Sequence, residues 1–592
     1  MNNLLDRATG WLSGRDEDPD RPFGVSPGWI LIGLFLLAYF LRVLGVDWGF
    51  KNGDERPNFA AKVLTGELTP PSFFYPPLNN YLTAICYGLM FVVGRVLGFY
   101  HSLQDFKDSY FDNVMSFYLM GRFHTALWGA LLAPVSALIA RRFELSWRSS
   151  FGVGLIFACL APSVWWSHVA KPETGMVGGC FLLGLSILVF LDNKKAYWAA
   201  AAVGVSAAIA VGFKHNAVFL VMPLMVGCAV LSYVESRDLR QTLIGSAIAI
   251  VAGAISWSIL SIGILLALQD FIDYQLIQSQ MSNRPFTFSG FMRAVVGTVA
   301  DIRSGATPVM FVGALLVPVF ERDRRILAFW AATLFGFLWV GSIVGDRTTP
   351  GLLMGFTCYF TLTFAVTAFR VWERSEGPQR WGSAAALGLG FLLTVAGSGI
   401  VLDQALAAPA GNQISAFFEA NADHDEWVLA ADPETTGLAQ SVASIQFNRA
   451  RDERIAKKYD IVLPPASSEW EKHPPNPFKT WNIVKFPWPI GGIEHLEEED
   501  VTLIKAFSWP RQKEEWKLDY WLAKDFRWFI VLNEKYQLND NLPAYRAFHQ
   551  EFVGRCEMRL VVPARKPLFF EEEARIYDCK GTAPASAQLP DR

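Results

Sequence analysis

Residues 121–143 read GRFHTALWGALLAPVSALIARRF, a largely apolar stretch that ends in two adjacent arginines before a final phenylalanine. It belongs to the apolar segment 118–140, which approaches the roughly 20 residues that a helix needs to cross about 30 Å of hydrocarbon. Short cytoplasmic loops collect lysine and arginine, so Arg141 and Arg142 indicate that this helix ends on the cytoplasmic side. The stretch therefore predicts one membrane span and its direction.

Apolar segments of the same kind recur over the first two thirds of the chain. The others are 29–46, 151–167, 174–191, 196–212, 216–233, 241–268, 326–344, 350–371 and 383–402, with a weaker one at 306–320. Of the 592 residues, 52% are hydrophobic and only 18% are charged, which is too apolar for an ordinary soluble protein. The first segment is predicted to be retained, because residues 1–22 mix both charge signs and no small-residue cleavage site follows it. We predict a mainly α fold, with a polytopic transmembrane helical bundle of about eleven spans over residues 1–402.

The segment 81–99, YLTAICYGLMFVVGRVLGF, decides the topology of this bundle. Counting it as a span would move five cationic loops to the outside, against the charge rule. These loops carry Arg141, Arg142 and Arg148; Lys194 and Lys195; Arg237 and Arg240; Arg322, Arg324 and Arg325; and Arg370, Arg374 and Arg380. We predict instead that 81–99 is an interfacial or re-entrant helix inside one long external loop, 47–117, with the N-terminus cytoplasmic. The alternative is an external N-terminus, which would put 49–80 in the cytoplasm.

After residue 402 the composition becomes charged and rich in proline and tryptophan, which predicts a separate extracytoplasmic domain over 403–592. Short β-like runs beginning at Tyr459, Trp528 and Met558 suggest a small α/β fold. Its two cysteines, Cys556 and Cys579, are expected to form a disulfide, because the predicted compartment is oxidising. The net charge of −3 predicts no nucleic-acid partner.

Two predicted external loops carry carboxylates near the membrane surface. The first contains Asp54 and Glu55, followed by the aromatic and proline run FFYPP that includes Tyr75. The second reads SVWWSHVAKPETGM over 163–176, with His168, Lys171 and Glu173 within six residues. Ionisable residues at membrane depth are costly, so such clusters usually have partners or a function. The alternatives are a solvated acidic pair in the first loop and interfacial snorkelling in the second.

Further cations lie in loops that are predicted to be external. Lys214 and His215 occupy one turn, and Arg347 another. A lipid that carries phosphate would need cations on the same face as the carboxylates. Arg122, at the start of its span, joins these candidates for substrate binding, with snorkelling as the alternative. Arg42 and Asp47, at the end of the first span, are expected to snorkel or to pair with each other.

Five stretches together resemble the lipid-carrier-dependent branch of the C-type glycosyltransferase superfamily, which includes protein O-mannosyltransferases and the lipid A aminoarabinose transferase. They are LRVLGVDWGFKNGDE at 41–55, FFYPPLNNYLTA at 73–84, the span at 121–143, SVWWSHVAKPETGM at 163–176, and AAAVGVSAAIAVGFKHNAVFLVMPL at 200–224. The resemblance covers about 30–235 through its motifs and the later spans through topology only. It implies an enzyme that transfers a sugar from a polyprenyl-phosphate donor at the outer face of a bacterial inner membrane.

The resemblance also implies roles for individual residues. Asp54 matches the carboxylate that acts as general base, with Glu55 beside it. Glu173 stands where the family usually has aspartate, which leaves the binding of a divalent metal open. Lys214 matches a cation near the carrier phosphate, and Arg347 is a weaker match because TTPGLLM follows it here. The acceptor, whether lipid, protein or glycan, is not specified, and membrane lipids are the other expected partners.

Three other functions remain open at this point. A transporter or flippase for a lipid-linked sugar would also carry charged residues in the membrane, but it would be expected to have inverted repeats and broken helices, which the sequence does not predict. A structural membrane module would need neither carboxylate site. An oligosaccharide-transferring member of the same superfamily is the nearest enzymatic alternative.

Overall fold

The structure is a computed structural model in which the chain forms two compact units. It describes residues 25–47, 55, 57–70, 73–112, 114–282, 287–299, 305–344, 350–406, 410–430, 436–458, 480–485, 515, 517–532, 543–563 and 573–581. The first unit takes the described residues of 1–46, 56–89 and 119–405, and the second takes those of 47–55, 90–118 and 406–592. The sequence analysis assigns 47–55 and 90–118 to the membrane part, and the described residues of these ranges group with the second unit.

Helices make up nearly all of the regular structure before residue 407. In chain order they are α1 (Pro27–Val43), α2 (Pro57–Leu64), α3 (Leu78–Val96), α4 (Leu103–Asp112), α5 (Val114–Arg142), α6 (Trp147–Ala158), α7 (Ala161–Ser167), α8 (Glu173–Asp192), α9 (Tyr197–Phe213), α10 (Val218–Ser236), α11 (Leu239–Leu260), α12 (Ile262–Leu266), α13 (Leu268–Ser282), α14 (Phe288–Val299), α15 (Pro308–Leu315), α16 (Val317–Phe320), α17 (Arg324–Val344), α18 (Pro350–Arg374) and α19 (Pro378–Leu406). Among the described residues, seven helices are long and apolar enough to cross a membrane, or eight if α6 and α7 count as one bent span. The protein is a polytopic, mainly helical membrane protein, and the count of eleven spans stays a prediction.

Two predicted spans are interrupted in the structure. The segment 151–167 is divided between α6 and α7, which meet at a bend of 48°. Pro162 at the start of α7 favours a new helix there, because proline fits the first turn of a helix and not its interior. The segment 241–268 breaks at Ser261, between α11 and α12. The sequence patterns did not predict these breaks.

The segment that decides the topology, 81–99, lies mostly in α3. This helix is not among the seven described helices that meet the criteria of length and hydropathy for a span. Its Tyr81 hydroxyl donates a hydrogen bond to the Leu68 carbonyl at 2.8 Å and accepts one from the Gly263 amide at 3.0 Å. Tyr81 thus connects α3 to the segment after α2 and to α12. Whether α3 crosses the membrane stays a prediction.

A cysteine introduced at Ser102 or Asp112 is expected to react with a membrane-impermeant thiol reagent that is added from the periplasmic side. The expectation follows from the charge rule, because only an external segment 100–117 keeps the later cationic loops inside. A cysteine at the exposed Lys195 is the control and should stay unreacted until the membrane is permeabilised. Protection at both test positions would contradict the topology.

Cations from three of the predicted cytoplasmic loops meet in one ion-pair network. Arg142 and Arg325 each lie 2.6 Å from a carboxylate oxygen of Asp192. Arg325 also pairs with Glu235 at 2.9 Å, and Lys194 pairs with the same carboxylate at 2.9 Å. These contacts bring the ends of α5, α8 and α10 and the start of α17 together, so the three loops lie at the same end of the bundle.

Small residues allow α8, α9 and α11 to pack closely. A Cβ atom added to Gly204 on α9 would lie 1.9 Å from the Ala249 carbonyl oxygen and 2.7 Å from the Gly253 amide nitrogen of α11. A Cβ atom added to Gly179 on α8 would lie 2.6 Å from the Ala210 amide nitrogen of α9. Such close backbone contact is typical of helix packing in membranes, where small residues lie at the interfaces. The packing fixes α8 and α9 as a tight antiparallel pair.

The described part of the C-terminal region contains a five-stranded mixed sheet. Its elements are α20 (Ala410–Asn421), β1 (Trp427–Ala430), α21 (Val442–Lys458), β2 (Asn482–Lys485), α22 (Leu518–Leu522), β3 (Phe526–Leu532), α23 (Pro543–Arg555), β4 (Glu557–Val562) and β5 (Ala574–Asp578). The strand order is β2-β1-β3-β5-β4, in which β1 pairs in parallel with β2 and β3. β5 is antiparallel to both β3 and β4. The runs that begin at Trp528 and Met558 form strands as predicted, and the run from Tyr459 lies outside the described residues.

Side chains alternate between the two faces of this sheet, as the period of two in a strand requires. Val428 and Ile530 pack on one face with Phe418 of α20. Leu429 and Phe529 pack on the other face, in a cluster that also holds aromatic residues of α22 and α23. Both faces are therefore covered, and the fold is α/β.

An ion pair connects β3 to the end of β5. Arg527 donates two hydrogen bonds of 2.8 Å to the carboxylate of Asp578, and it also contacts Glu426. Burial alone would raise the pKa of Asp578, but the hydrogen bonds from Arg527 outweigh this effect and hold the pKa below its usual value. The pair therefore stays ionised at neutral pH.

Cys556 and Cys579 are joined by a disulfide in the structure, with their Cα atoms 4.4 Å apart. We expect mass spectrometry of peptides from the non-reduced protein to find the two cysteines in one cross-linked peptide, because an extracytoplasmic domain folds in an oxidising compartment. Recovery of both as alkylated thiols would count against the bond and against the outward placement of the domain.

Candidate functional site

The first acidic loop is described only in part. Asp54 lies outside the described residues, and so does Arg347. Glu55 belongs to the second unit and is only 2% exposed. The alternative of a simply solvated acidic pair therefore does not hold for Glu55.

Three predicted residues of the second and third external loops meet in the first unit. Glu173 is the first residue of α8, and Lys214 follows the last residue of α9, so the antiparallel pair brings them together. Lys214 Nζ donates a hydrogen bond of 2.7 Å to Glu173 Oε1. Lys171 Nζ lies 3.9 Å from the same oxygen. We call Lys171, Glu173 and Lys214 the lysine–glutamate cluster.

Two members of the cluster are buried rather than snorkelling to solvent, and the side chain of Lys214 is 13% exposed. Glu173 is 1% exposed and Lys171 is 5% exposed. Glu173 Oε2 is buried and has no hydrogen-bond partner among the described residues. An ionised carboxylate at the first turn of a helix is favoured by the helix dipole, and its hydrogen bond with an ammonium group is charge-assisted. The geometry therefore fits a carboxylate that holds two cations in place and keeps one oxygen for a ligand.

Aromatic rings cover the cluster. The Tyr75 ring centroid lies 5.9 Å from Lys171 Nζ and 5.5 Å from Lys214 Nζ, and Trp166 lies 5.2 Å from Lys171 Nζ. These distances are within the range of cation–π interactions. A Cβ atom added to Gly351 would lie 2.7 Å from the Trp166 ring and 3.0 Å from Glu173 Oε1, so a side chain would not fit there. Trp166 and Gly351 were not predicted from the sequence.

The segment that carries Tyr75 is held from α13 and from the turn after α9. Gln275 Nε2 donates a hydrogen bond of 3.1 Å to the Phe73 carbonyl, and the Phe73 ring packs edge-on against Phe271 at 5.9 Å. The ring of His215, in the turn after α9, lies 5.4 Å from that of Phe271. His215 thus supports the segment before Tyr75 through its contact with Phe271.

His168 and Arg122 hold the end of the first membrane helix. The two ring nitrogens of His168 lie 2.8 Å from the Val164 carbonyl and 2.9 Å from the Leu44 carbonyl. Arg122, which is fully buried, donates a hydrogen bond of 2.8 Å to the Val46 carbonyl. Snorkelling is therefore wrong for Arg122. Both side chains position the chain just before the first acidic loop.

His168 is not arranged as a metal ligand. A ring nitrogen needs a free lone pair to bind a metal, but both nitrogens of His168 face carbonyl oxygens, which accept hydrogen bonds. Within the described part of the chain, no three histidine, cysteine, aspartate or glutamate side chains lie close enough to hold a metal ion together. The described residues of the site offer two cations to an anion.

Arg42 has a role that the sequence did not reveal. It is fully buried and donates hydrogen bonds to the carbonyls of Phe157 and Ala158 at 3.0 and 2.9 Å, and to the Ser163 hydroxyl at 2.8 Å. The last carbonyls of a helix lack partners within it, so Arg42 stabilises the bend between α6 and α7. The expectation that Arg42 would snorkel or pair with Asp47 was wrong.

Replacing Arg42 by methionine is expected to lower the free energy of unfolding by about 2 kcal/mol or more, because buried acceptors lose their donor. Arg142→Met is the control, since its ion pair with Asp192 is partly exposed and such pairs contribute about 0–1 kcal/mol. Thermal unfolding in detergent, followed by tryptophan fluorescence, measures both. Equal effects of the two substitutions would contradict the role of Arg42 at the bend.

No family model matches the chain, and no curated protein matches it. Several solved structures are similar to the chain. ArnT from Cupriavidus metallidurans, bound to undecaprenyl phosphate, is 13% identical, with a TM-score of 0.49 over 94% of this chain and 99% of that one. The oligosaccharyltransferase of Archaeoglobus fulgidus, in a complex with zinc and sulfate, is 12% identical, with a TM-score of 0.43 over 88% of this chain and 69% of that one.

The S. cerevisiae protein O-mannosyltransferase Pmt1-Pmt2 complex, bound to the sugar donor, is also similar. It is 16% identical, with a TM-score of 0.32 over 43% of this chain and 35% of that one. One of these solved structures is a protein O-mannosyltransferase, a kind of enzyme named with the sequence motifs, and another is an oligosaccharyltransferase, the kind named as an alternative.

Proposed function

We propose that this protein transfers a sugar from a polyprenyl-phosphate-linked donor to an acceptor at the outer face of a bacterial inner membrane. The N-terminus would lie in the cytoplasm and the domain 403–592 outside. The proposal rests on the five sequence stretches that resemble lipid-carrier-dependent glycosyltransferases, and on the contents of the lysine–glutamate cluster.

The observation that carries the proposal is a pair of cations, the buried Lys171 and the partly buried Lys214, that share one oxygen of a buried carboxylate between apolar helices. Lys171 and Lys214 both lie within 4.0 Å of Glu173 Oε1. Charges in such surroundings are costly unless they are paired or bind a ligand, and in membrane proteins they commonly mark a substrate pathway. Two ammonium groups match the oxygens of a phosphate group. A lipid phosphate reaches such a site from the bilayer without leaving its hydrocarbon chain exposed to water.

The chemistry assigned to the site is a displacement at the anomeric carbon of the donor. The bond between that carbon and the phosphate oxygen breaks, and its electron pair stays on the phosphate. The acceptor oxygen or nitrogen bonds to the carbon from the opposite face, which inverts the configuration, and its proton passes to a carboxylate. Asp54 is the proposed base, with Glu55 beside it to orient the acceptor. Lys214, Lys171 and Arg347 are proposed to stabilise the departing phosphate.

A flippase for a lipid-linked sugar is the second candidate function. The bend of 48° between α6 and α7 favours it, because broken helices are common in transporters. At the bend, Arg42 donates hydrogen bonds to backbone carbonyls. These contacts are also consistent with a purely structural break. A flippase would move the intact donor, whereas a transferase would break its bond to the sugar.

Purified protein in liposomes that contain a polyprenyl-phosphate sugar separates these two functions. With a membrane extract as the source of acceptor, a transferase is expected to convert the donor to free polyprenyl phosphate. A flippase would leave the donor intact and change only its exposure to an impermeant reagent. Intact donor in the presence of protein and extract, across several sugars, would overturn the proposed function.

A further inference from the structure

We infer that Glu173 sets the charge of the phosphate site so that it favours the phosphodiester of the donor over the phosphomonoester of the released carrier. The inference rests on the proposed function and deepens it. It gives Glu173 the role of a selectivity residue, which helps the spent carrier to leave.

The geometry places a negative charge where the phosphate would meet the two lysines. Lys214 Nζ and Lys171 Nζ lie 2.7 and 3.9 Å from the same oxygen of Glu173. The other oxygen, Oε2, is buried and has no partner among the described residues. Any anion that contacts both lysines is therefore close to this carboxylate.

The carboxylate cannot easily move away from the lysines. It begins α8, whose backbone is packed against α9 at Gly179. The space beside it is bounded by Gly351 and Trp166, because a Cβ atom on Gly351 would lie within 3.0 Å of both side chains. The two lysines and the carboxylate thus form a compact group that carries one net positive charge when all three are ionised.

The donor and the product of the proposed reaction differ in charge. A phosphodiester carries one negative charge, whereas a phosphate monoester carries about −1.5 to −2 at neutral pH. When the sugar leaves, the electron pair of the broken bond remains on the phosphate and adds this charge. The negative charge of Glu173 lies close to any phosphate that contacts both lysines, so it repels the more negative product more strongly than the donor. Repulsion between charges a few ångströms apart in such surroundings is strong.

The inference predicts that removing the charge of Glu173 strengthens binding of the monoester more than binding of a diester. Undecaprenyl monophosphate and its methyl ester are suitable probes, because they share one lipid and differ in one charge. We expect Glu173→Gln to shift the ratio of the two dissociation constants by about tenfold toward the monophosphate. Glu173→Asp keeps the charge and should leave the ratio near that of the wild type.

A second variant keeps the test decisive if Glu173→Gln fails to fold. Lys171→Gln removes a positive charge from the same cluster and should shift the ratio toward the methyl ester. Both dissociation constants are measured on the full-length protein in nanodiscs, so neither acceptor nor turnover is needed.

Three results would overturn the inference. In the first, the wild type binds both lipids but the ratio changes less than about twofold in either variant, which leaves the proposed function standing. In the second, Glu173→Gln moves the ratio toward the methyl ester. In the third, the wild type binds neither lipid phosphate, which also removes the proposed function.

Discussion

Asp54→Asn is expected to reduce the rate of sugar transfer by at least about a hundredfold, while the protein still folds and inserts. Asparagine keeps the shape of the side chain and its ability to form hydrogen bonds, but it cannot accept the proton of the acceptor. General bases typically contribute about 10²–10⁴-fold to the rate of such reactions. The measurement is the rate of release of polyprenyl phosphate by purified protein at saturating donor.

Glu55→Gln is the matched control for this experiment. Glu55 is buried, so Glu55→Gln tests whether the loss of any buried carboxylate in this loop is enough to lower the transfer rate. We expect a smaller loss than for Asp54→Asn, because Glu55 is proposed to orient rather than to accept the proton. A transfer rate near that of the wild type for Asp54→Asn would remove this residue from the mechanism. The carboxylate site in the second loop, at Glu173, would then be the one left for the role.

Lys214→Met is expected to raise the KM for the donor about tenfold or more, with little change in the KM for the acceptor. The expectation follows because Lys214 Nζ is the closer of the two cations to Glu173, at 2.7 Å, and would exchange this partner for phosphate. Lys214→Arg keeps the charge and should lose less. An equal rise in both KM values would argue for a structural role.

Loss of Lys214 also leaves Glu173 with the more distant Lys171, so part of the effect could arise from a disturbed fold. Breaking a buried ion pair by removing one partner is strongly destabilising, because the other charge stays buried. The double variant Lys214→Met with Glu173→Gln removes both charges and should regain stability. If it regains stability but not donor affinity, the effect of Lys214 on the donor is direct.

The helical bundle was predictable because apolar runs of span length are a strong signal, but the breaks inside the runs were not. The bend after α6 depends on Arg42, more than a hundred residues earlier in the chain, whose guanidinium binds the carbonyls at the helix end. The residues near the bend do not indicate that contact in the sequence. Pro162 was the one local signal, and proline near an apolar run is ambiguous because membrane helices tolerate it.

The members of the lysine–glutamate cluster could be predicted from the sequence, but the contacts between them could not. Lys171 and Glu173 are close in sequence, and Lys214 was placed on the same face by the charge rule. The pairing of Lys214 with Glu173 follows from the packing of α8 on α9, which depends on the close backbone contact at Gly179. No sequence pattern indicated that Gly351 and Trp166 lie beside the cluster. Gly351 matters because it leaves space next to Glu173, and Trp166 because its ring fills the space next to Lys171.

Histidines were the least reliable guide to the site. His168 was predicted to bind substrate because it lies within six residues of the loop sequence with Lys171 and Glu173. In the structure its ring nitrogens face two backbone carbonyls, one of them from Leu44. Sequence proximity does not reveal contacts with distant backbone, so a buried histidine with a structural role looks the same as a ligand.

A structure of the full chain with a polyprenyl phosphate bound is the most direct test of the central claim, that the lysine–glutamate cluster is the site of the carrier phosphate. We expect phosphate oxygens within about 3 Å of Lys214 Nζ, with the distance from that nitrogen to Glu173 Oε1 longer than 2.7 Å. Phosphate bound elsewhere, with Lys214 still paired to Glu173, would contradict it.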